Sequence, residues 1–168
     1  MIDKFGKSLL TMFGIGYFKY APGTVASFIT CLTFYLLWSL FGIRNLFSPF
    51  MFFTIIIFIY STILIDKFYE GDDAKEIVID EFIGQSIPLL SMININLKLK
   101  LITTPFTDYP TEVWIFLSFV LFRFFDILKP FPINLIDKKI KNGFGVILDD
   151  IVAGIFAAIS IYIILSWI

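Results

Sequence analysis

The sequence predicts an all-α fold, an integral membrane helical bundle of about four to five spans with an amphipathic N-terminal helix. Hydrophobic residues make up 58% of the 168 residues, which is above the roughly 45–50% that is usual in soluble domains. Several apolar runs are long enough to cross a bilayer at about 1.5 Å per helical residue. We expect residues 1–168 to form a single membrane-embedded domain.

The apolar runs follow an N-terminal segment of a different character. Residues 1–20 place apolar side chains at helical spacing with lysines between them, which predicts an interfacial helix that Gly14 and Gly16 interrupt. The run at residues 82–97 is the weakest candidate for a membrane span, because polar residues and Pro88 interrupt it. It either crosses the membrane with a kink or turns back within it. The other predicted spans are residues 21–43, 48–65, 113–128 and 151–168, separated by loops at 66–79, 98–112 and 129–148.

Positive charges in the loops predict the orientation of the bundle, because cytoplasmic loops carry an excess of lysine and arginine. If all five runs span with the N-terminus inside, three positive residues lie in the outer loops, namely Arg44, Lys98 and Lys100. Nine lysines lie in the inner segments: Lys4, Lys7, Lys19, Lys67, Lys75, Lys129, Lys138, Lys139 and Lys141. This orientation places every unusual polar cluster at the inner interface.

Three polar clusters stand at the ends of apolar runs, where charges are costly, by roughly 3 kcal/mol at a helix centre and less near the interface. Two are acidic pairs, each followed by a glycine: Asp80 and Glu81 with Gly84, and Asp149 and Asp150 with Gly154. The third joins Arg123 to Asp126 at i, i+3 spacing. A divalent cation would offset the cost, since it prefers carboxylate oxygens as ligands. We expect the three runs to meet at one site.

The same residues also allow purely structural interpretations. Each acidic pair could cap a helix and complement its dipole, and Arg123 with Asp126 could be a structural ion pair. The glycines could serve ordinary helix packing or leave room for a ligand. In the functional interpretation five carboxylates are candidate metal ligands: Asp80, Glu81, Asp126, Asp149 and Asp150. The same five residues, together with Arg123, are the candidate catalytic residues.

Candidate phosphate-binding residues come from the same end of the bundle. Arg123 could grip phosphate oxygens in bidentate fashion, and Lys129, one turn beyond Asp126, could add a second positive charge. Thr24 and Ser27 stand at a predicted helix start, where free backbone N–H groups attract anions. Alternatively, Lys129 is an ordinary interfacial lysine and the two hydroxyl residues cap the helix.

Composition excludes or disfavours several classes of function. The chain has no histidine, which removes the commonest general base and any phosphohistidine chemistry. Its single cysteine, Cys31, lies within an apolar run, so we expect neither a disulfide nor a thiol nucleophile. A net charge of −1 gives no indication of a nucleic-acid partner.

Four segments carry a combined signature: residues 21–27, 79–85, 122–133 and 143–154. Together, and in this order, they resemble the phosphatidylglycerophosphatase A family of bacterial membrane lipid phosphatases. Ala26 departs from the pattern, because family members usually have glycine there. The resemblance implies a Mg²⁺-dependent enzyme that removes the terminal phosphate of phosphatidylglycerophosphate and leaves phosphatidylglycerol.

The resemblance also implies partners and a location. The substrate is a membrane lipid, and we expect no obligate protein partner. The protein would be a multi-pass protein of the bacterial cytoplasmic (inner) membrane with its active site at the cytoplasmic interface. Arg123 and Lys129 would stabilise charge on the phosphoryl oxygens.

Two questions stay open at the level of sequence. The nucleophile is either a water or one of the carboxylates, which would form an aspartyl phosphate. The alternative function is a small membrane cation or proton transporter that uses the same carboxylates. Such a transporter would place its charges near the bilayer midplane, whereas these clusters are expected at one interface.

Overall fold

A computed structural model describes residues 2–71, 73–99 and 111–166 of the chain. Within these residues the chain forms seven α-helices and one 3₁₀ turn, and no β-strand, so the predicted all-α fold is confirmed. The 3₁₀ turn covers Ile15–Tyr17. The helices are α1 (Ile2–Leu10), α2 (Pro22–Phe41), α3 (Ile43–Tyr69), α4 (Ile79–Leu99), α5 (Thr111–Leu128), α6 (Ile133–Lys139) and α7 (Gly143–Ser166).

Three helices are long and apolar enough to cross a membrane, by length and composition. These candidate spans are Pro22–Phe41, Leu46–Tyr69 and Gly143–Ile164. Helices α4 and α5 are 21 and 18 residues long and are not among these three candidates, so the predicted count of about four to five spans is approximate. Many phenylalanine, isoleucine and leucine side chains are exposed on the helices, as expected for surfaces that face lipid.

Helix α7 begins at Gly143, inside the segment 129–148 that we expected to be a loop. The Asn142 side chain accepts a hydrogen bond from the Gly145 N–H at 2.8 Å, and Asp66 accepts one from the Gly143 N–H at 2.6 Å. These side-chain oxygens satisfy donors that the start of a helix leaves free, so α7 begins early. Asp149 and Asp150 therefore lie inside α7, and the interpretation that they cap it is wrong.

The N-terminal helix is shorter than the predicted segment 1–20. Within the described residues α1 ends at Leu10, because Met12, Phe13 and Gly14 have φ angles of 45°, 57° and 101° that interrupt an α-helix. The Leu10 carbonyl accepts a hydrogen bond from the Val78 N–H at 3.0 Å. This bond ties the N-terminal segment to the residue just before α4.

Helices α4 and α7 form the central contact of the bundle. A Cβ atom added to Gly84 would lie 2.7 Å from the Asp150 carbonyl oxygen, and one added to Gly154 would collide with the Gly84 carbonyl. The missing side chains allow the two backbones to touch. Phe122 of α5 is fully buried, and its ring packs against Gly84 beside this contact. The packing expected for the two glycines is therefore observed.

We predict that Gly154→Leu destabilises the protein. The new side chain would push α7 away from the Gly84 carbonyl, and overpacking of a core costs about 1–3 kcal/mol or more. Thermal unfolding in detergent, followed by circular dichroism, measures the loss. The control is Ile155→Leu, at a neighbouring residue that is 42% exposed. Equal melting temperatures of the two variants would contradict this view of the packing.

Candidate active site

A polar cavity of about 510 Å³ opens where the first turns of α2 and α4 meet the end of α5 and the acidic pair of α7. The structure brings together at this cavity every residue that the sequence predicts for the site except Ser27. The predicted residues among those that line it are Thr24, Asp80, Glu81, Arg123, Asp126, Lys129, Asp149 and Asp150. Three helix ends that are distant in sequence thus contribute to one space.

Three of the carboxylates form a tight group. One oxygen each of Asp80, Glu81 and Asp150 lies within 4.8 Å of the others. Oε2 of Glu81 and Oδ2 of Asp150 are buried and have no hydrogen-bond partner. Such oxygens are costly unless a donor or a cation meets them. Because hard divalent cations take oxygen ligands, this set of donors could hold a metal ion.

The first turn of α2 packs directly against the carboxylate group. A Cβ atom added to Gly23 would collide with Oε1 of Glu81, so only a glycine allows Glu81 to lie at this position. Ala21 is the N-cap residue and makes no side-chain capping hydrogen bond, so the interpretation that Thr24 or Ser27 caps α2 is wrong. Backbone N–H groups at this helix start are therefore available to an anion in the cavity.

Arg123 is held by two partners. Its Nη1 donates to Oγ of Ser27 at 3.3 Å and pairs with Oδ2 of Asp126 at 2.9 Å. The Ser27 hydroxyl donates in turn to the Gly23 carbonyl at 3.0 Å. Nε of Arg123 is buried without a hydrogen-bond partner. Ser27 therefore lies behind the guanidinium and orients it, and Arg123 keeps a donor for a ligand.

Lys129 bridges two carboxylates just beyond the end of α5. Its Nζ lies 2.6 Å from Oδ2 of Asp149 and 3.0 Å from Oδ1 of Asp137. Partial burial would lower the pKa of this ammonium, but hydrogen bonds and charges from Asp149 and Asp137 outweigh burial and hold the pKa well above its usual range. Lys129 is therefore charged at neutral pH and offsets the charge of Asp149.

Sequence reasoning missed several residues around the site, including Lys19 and Lys75, which line the cavity. Asp137 lies in α6 beside three lysines, a pattern typical of a solvated surface, yet it contacts Lys129. Asp73 lines the cavity, although its place in a mixed-charge loop indicates only a surface acid. Gln85, one turn beyond Glu81, is fully buried and donates to Oγ of Ser118 at 2.9 Å. A glutamine inside an apolar run was the one available signal for this contact.

Comparison with known proteins assigns the chain to a family. The family model for phosphatidylglycerophosphatase A matches residues 8–165. The chain is 36% identical over 158 residues to phosphatidylglycerophosphatase A of Haemophilus influenzae, covering 92% of this chain and 85% of the relative. It is 33% identical over 156 residues to phosphatidylglycerophosphatase A of Escherichia coli, covering 90% and 78%. No solved structure matches it. The chain therefore belongs to the phosphatidylglycerophosphatase A family.

Proposed function

We propose that this protein is a Mg²⁺-dependent phosphatidylglycerophosphatase, which hydrolyses the terminal phosphate of phosphatidylglycerophosphate and releases phosphatidylglycerol. One observation carries the proposal: three convergent carboxylates and two cationic side chains, Arg123 and Lys129, line the same cavity. Family membership supports the choice of substrate. A phosphomonoester dianion needs cations around its oxygens, and this cavity offers both fixed cations and ligands for a metal ion.

Asp80, Glu81 and Asp150 would hold the metal ion, and the unpartnered oxygens of Glu81 and Asp150 support this assignment. When bound, Mg²⁺ supplies Lewis-acid polarisation of the phosphate and activation of water. Asp126 and Asp149 are each paired with a cation. We therefore assign them first to the orientation of Arg123 and Lys129, and they remain candidate ligands.

The cationic side chains would bind the phosphate oxygens. Nε of Arg123 is free to donate, and the guanidinium is prevented from turning away by Ser27 and Asp126. Lys129 lines the same cavity, beside Asp149. Thr24 and the backbone N–H groups of the first turn of α2 complete the set. In an in-line displacement these donors stabilise charge on the equatorial oxygens.

The reaction breaks the bond between phosphorus and the oxygen of the lipid alcohol. Either water or a carboxylate forms the new phosphorus–oxygen bond, and the departing oxygen takes a proton to become the hydroxyl of phosphatidylglycerol. In the water route a carboxylate accepts the proton of the attacking water. Oδ1 of Asp149 is buried and unpartnered, so it has the capacity to do so. In the carboxylate route water cleaves the aspartyl phosphate in a second step.

We place the cavity at the cytoplasmic face of the bacterial inner membrane. Lys129 lines the cavity, and the basic residues of α6 and the following turn come about ten residues later in the sequence: Lys138, Lys139 and Lys141. Positive charge of this kind is typical of the cytoplasmic side. The three apolar helices that could cross a membrane support an integral location.

We predict that purified protein releases phosphate from phosphatidylglycerophosphate with Mg²⁺ and not with EDTA. Asp80→Asn, Glu81→Gln and Asp150→Asn should each reduce kcat/KM by about 10²-fold or more, because each removes a charged ligand. Glu70→Gln, which alters an exposed acid, is the matched control. Full Mg²⁺-dependent activity of Asp150→Asn would remove that residue from the site. No release by the native protein would favour the transporter alternative.

Metal binding has a readout that is independent of turnover. We predict that Mg²⁺ raises the melting temperature of the native protein, since a ligand at about 100 times its Kd stabilises the folded state by about 2.7 kcal/mol. Asp150→Asn should lose this increase, and Glu70→Gln should keep it. The same increase in both variants would show that Mg²⁺ binds elsewhere.

We predict that Lys129→Met lowers both stability and activity. The change leaves Asp149, whose side chain is 6% exposed, without its cation, at a cost of about 1–3 kcal/mol. Adding Asp149→Asn should restore the melting temperature without restoring phosphate release. Lys139→Met, at an exposed residue, is the control. If the double variant were no more stable than Lys129→Met, the ion pair would not account for the loss.

A further inference from the structure

An apolar groove lies between α2 and α5, outside the polar cavity. Its walls are Phe28, Cys31 and Leu32 of α2 and Ile115, Phe116 and Phe119 of α5, and its volume is about 240 Å³. At one end, Tyr35 donates a hydrogen bond to Glu112 at 3.1 Å. We name this surface the α2/α5 groove.

Contacts between the two helices show where the groove leads. The helices run antiparallel, with Ser27 against Arg123 at 3.3 Å, then the rings of Phe28 and Phe119 with centroids 6.2 Å apart. The bond from Tyr35 to Glu112 lies seven residues further along each helix, about 10 Å at 1.5 Å per residue. The groove therefore starts next to Arg123, at the edge of the cavity, and runs along the helix axes away from it.

We infer that the α2/α5 groove binds an acyl chain of the phospholipid whose phosphate occupies the cavity, an inference that rests on the proposed function. The same two helices offer Thr24 and Arg123 to the phosphate and, one turn further on, Phe28 and Phe119 to the chain. A lipid held in this way keeps its chain within the apolar layer while its headgroup enters the polar cavity. Apolar contact with the chain adds affinity in proportion to the area buried.

The position of the groove favours this occupant over others. A second apolar groove lies around Leu37, Phe41 and Phe53, between α2 and α3. Neither groove shares a lining residue with the polar cavity, but this second groove lies at the other end of α2 from the first turn that lines the cavity. Of these two grooves, the α2/α5 groove is the one whose walls begin, at Phe28 and Phe119, one helical turn from Thr24 and Arg123, where a lipid phosphate would bind.

The test compares two tryptophan substitutions on α2. Leu32→Trp fills the groove, whereas Leu36→Trp lies one turn away, outside the groove walls, and the two leucines are 46% and 51% exposed. For diacyl phosphatidylglycerophosphate, Leu32→Trp should raise KM about tenfold, the loss expected when roughly two methylene groups are no longer buried. For the deacylated, water-soluble headgroup the two variants and the native protein should share the same kcat/KM.

The inference is overturned if Leu32→Trp behaves like Leu36→Trp on the diacyl lipid, or if it impairs both substrates equally. Photo-crosslinking in bilayer nanodiscs with EDTA provides a second measurement that needs no turnover. Phosphatidylglycerophosphate with a diazirine in its acyl chain should label the groove walls more than phosphatidylcholine with the same chain, and Arg123→Ala should remove the excess.

Equal labelling by both lipids would show that the groove holds only bulk bilayer lipid and would overturn the inference. Failure of the proposed function has a different signature, because the native protein would then release phosphate from neither the diacyl lipid nor the headgroup. The crosslinking result would still decide the occupant of the groove in that case.

Discussion

The close approach of α4 and α7 at Gly84 and Gly154 is the contact on which the rest of the site depends. Asp80 lies four residues before Gly84 and Asp150 lies four residues before Gly154, so each acid is one turn from the point where the backbones touch. Because neither glycine has a side chain, the two helices come close enough for the carboxylates of Asp80, Glu81 and Asp150 to converge within 4.8 Å. A larger residue at either position would separate the helices and the carboxylates together.

Such convergence concentrates negative charge in a partly buried space. Some of these carboxylates are paired with a cationic side chain and others are not. Asp126 pairs with Arg123, and Asp149 pairs with Lys129. Asp80 and Glu81 lie in the first turn of α4, where the helix dipole favours negative charge. Among the described residues, no ion pair includes Asp80, Glu81 or Asp150. This uncompensated group is the physical basis for proposing a divalent cation there, while the paired carboxylates position the two cations that would face the phosphate.

Helix α2 connects the polar site to the apolar surface. Its first turn packs Gly23 against Glu81 and supports Arg123 through Ser27, and its next turns form one wall of the α2/α5 groove. A single helix thus contacts the carboxylates proposed to bind the metal ion, the guanidinium proposed to bind phosphate and the surface proposed for the acyl chain. This explains why residues 21–27, whose sequence alone suggested only a weak anion site, are structurally central.

The sequence by itself determined the all-α membrane character, the positions of the acidic pairs and the Arg123–Asp126 spacing, since these depend on local hydrophobicity and helical periodicity. It also identified eight of the residues that line the cavity, Thr24 and seven charged side chains. Only the tertiary structure decided that α7 starts at Gly143, that Ser27 lies behind Arg123 and that Asp137 shares Lys129 with Asp149. Each of these rests on hydrogen bonds or ion pairs between separate elements, such as Asp66 with the Gly143 N–H. Contacts of that kind leave no periodic pattern along the chain, because their partners meet only when the helices pack.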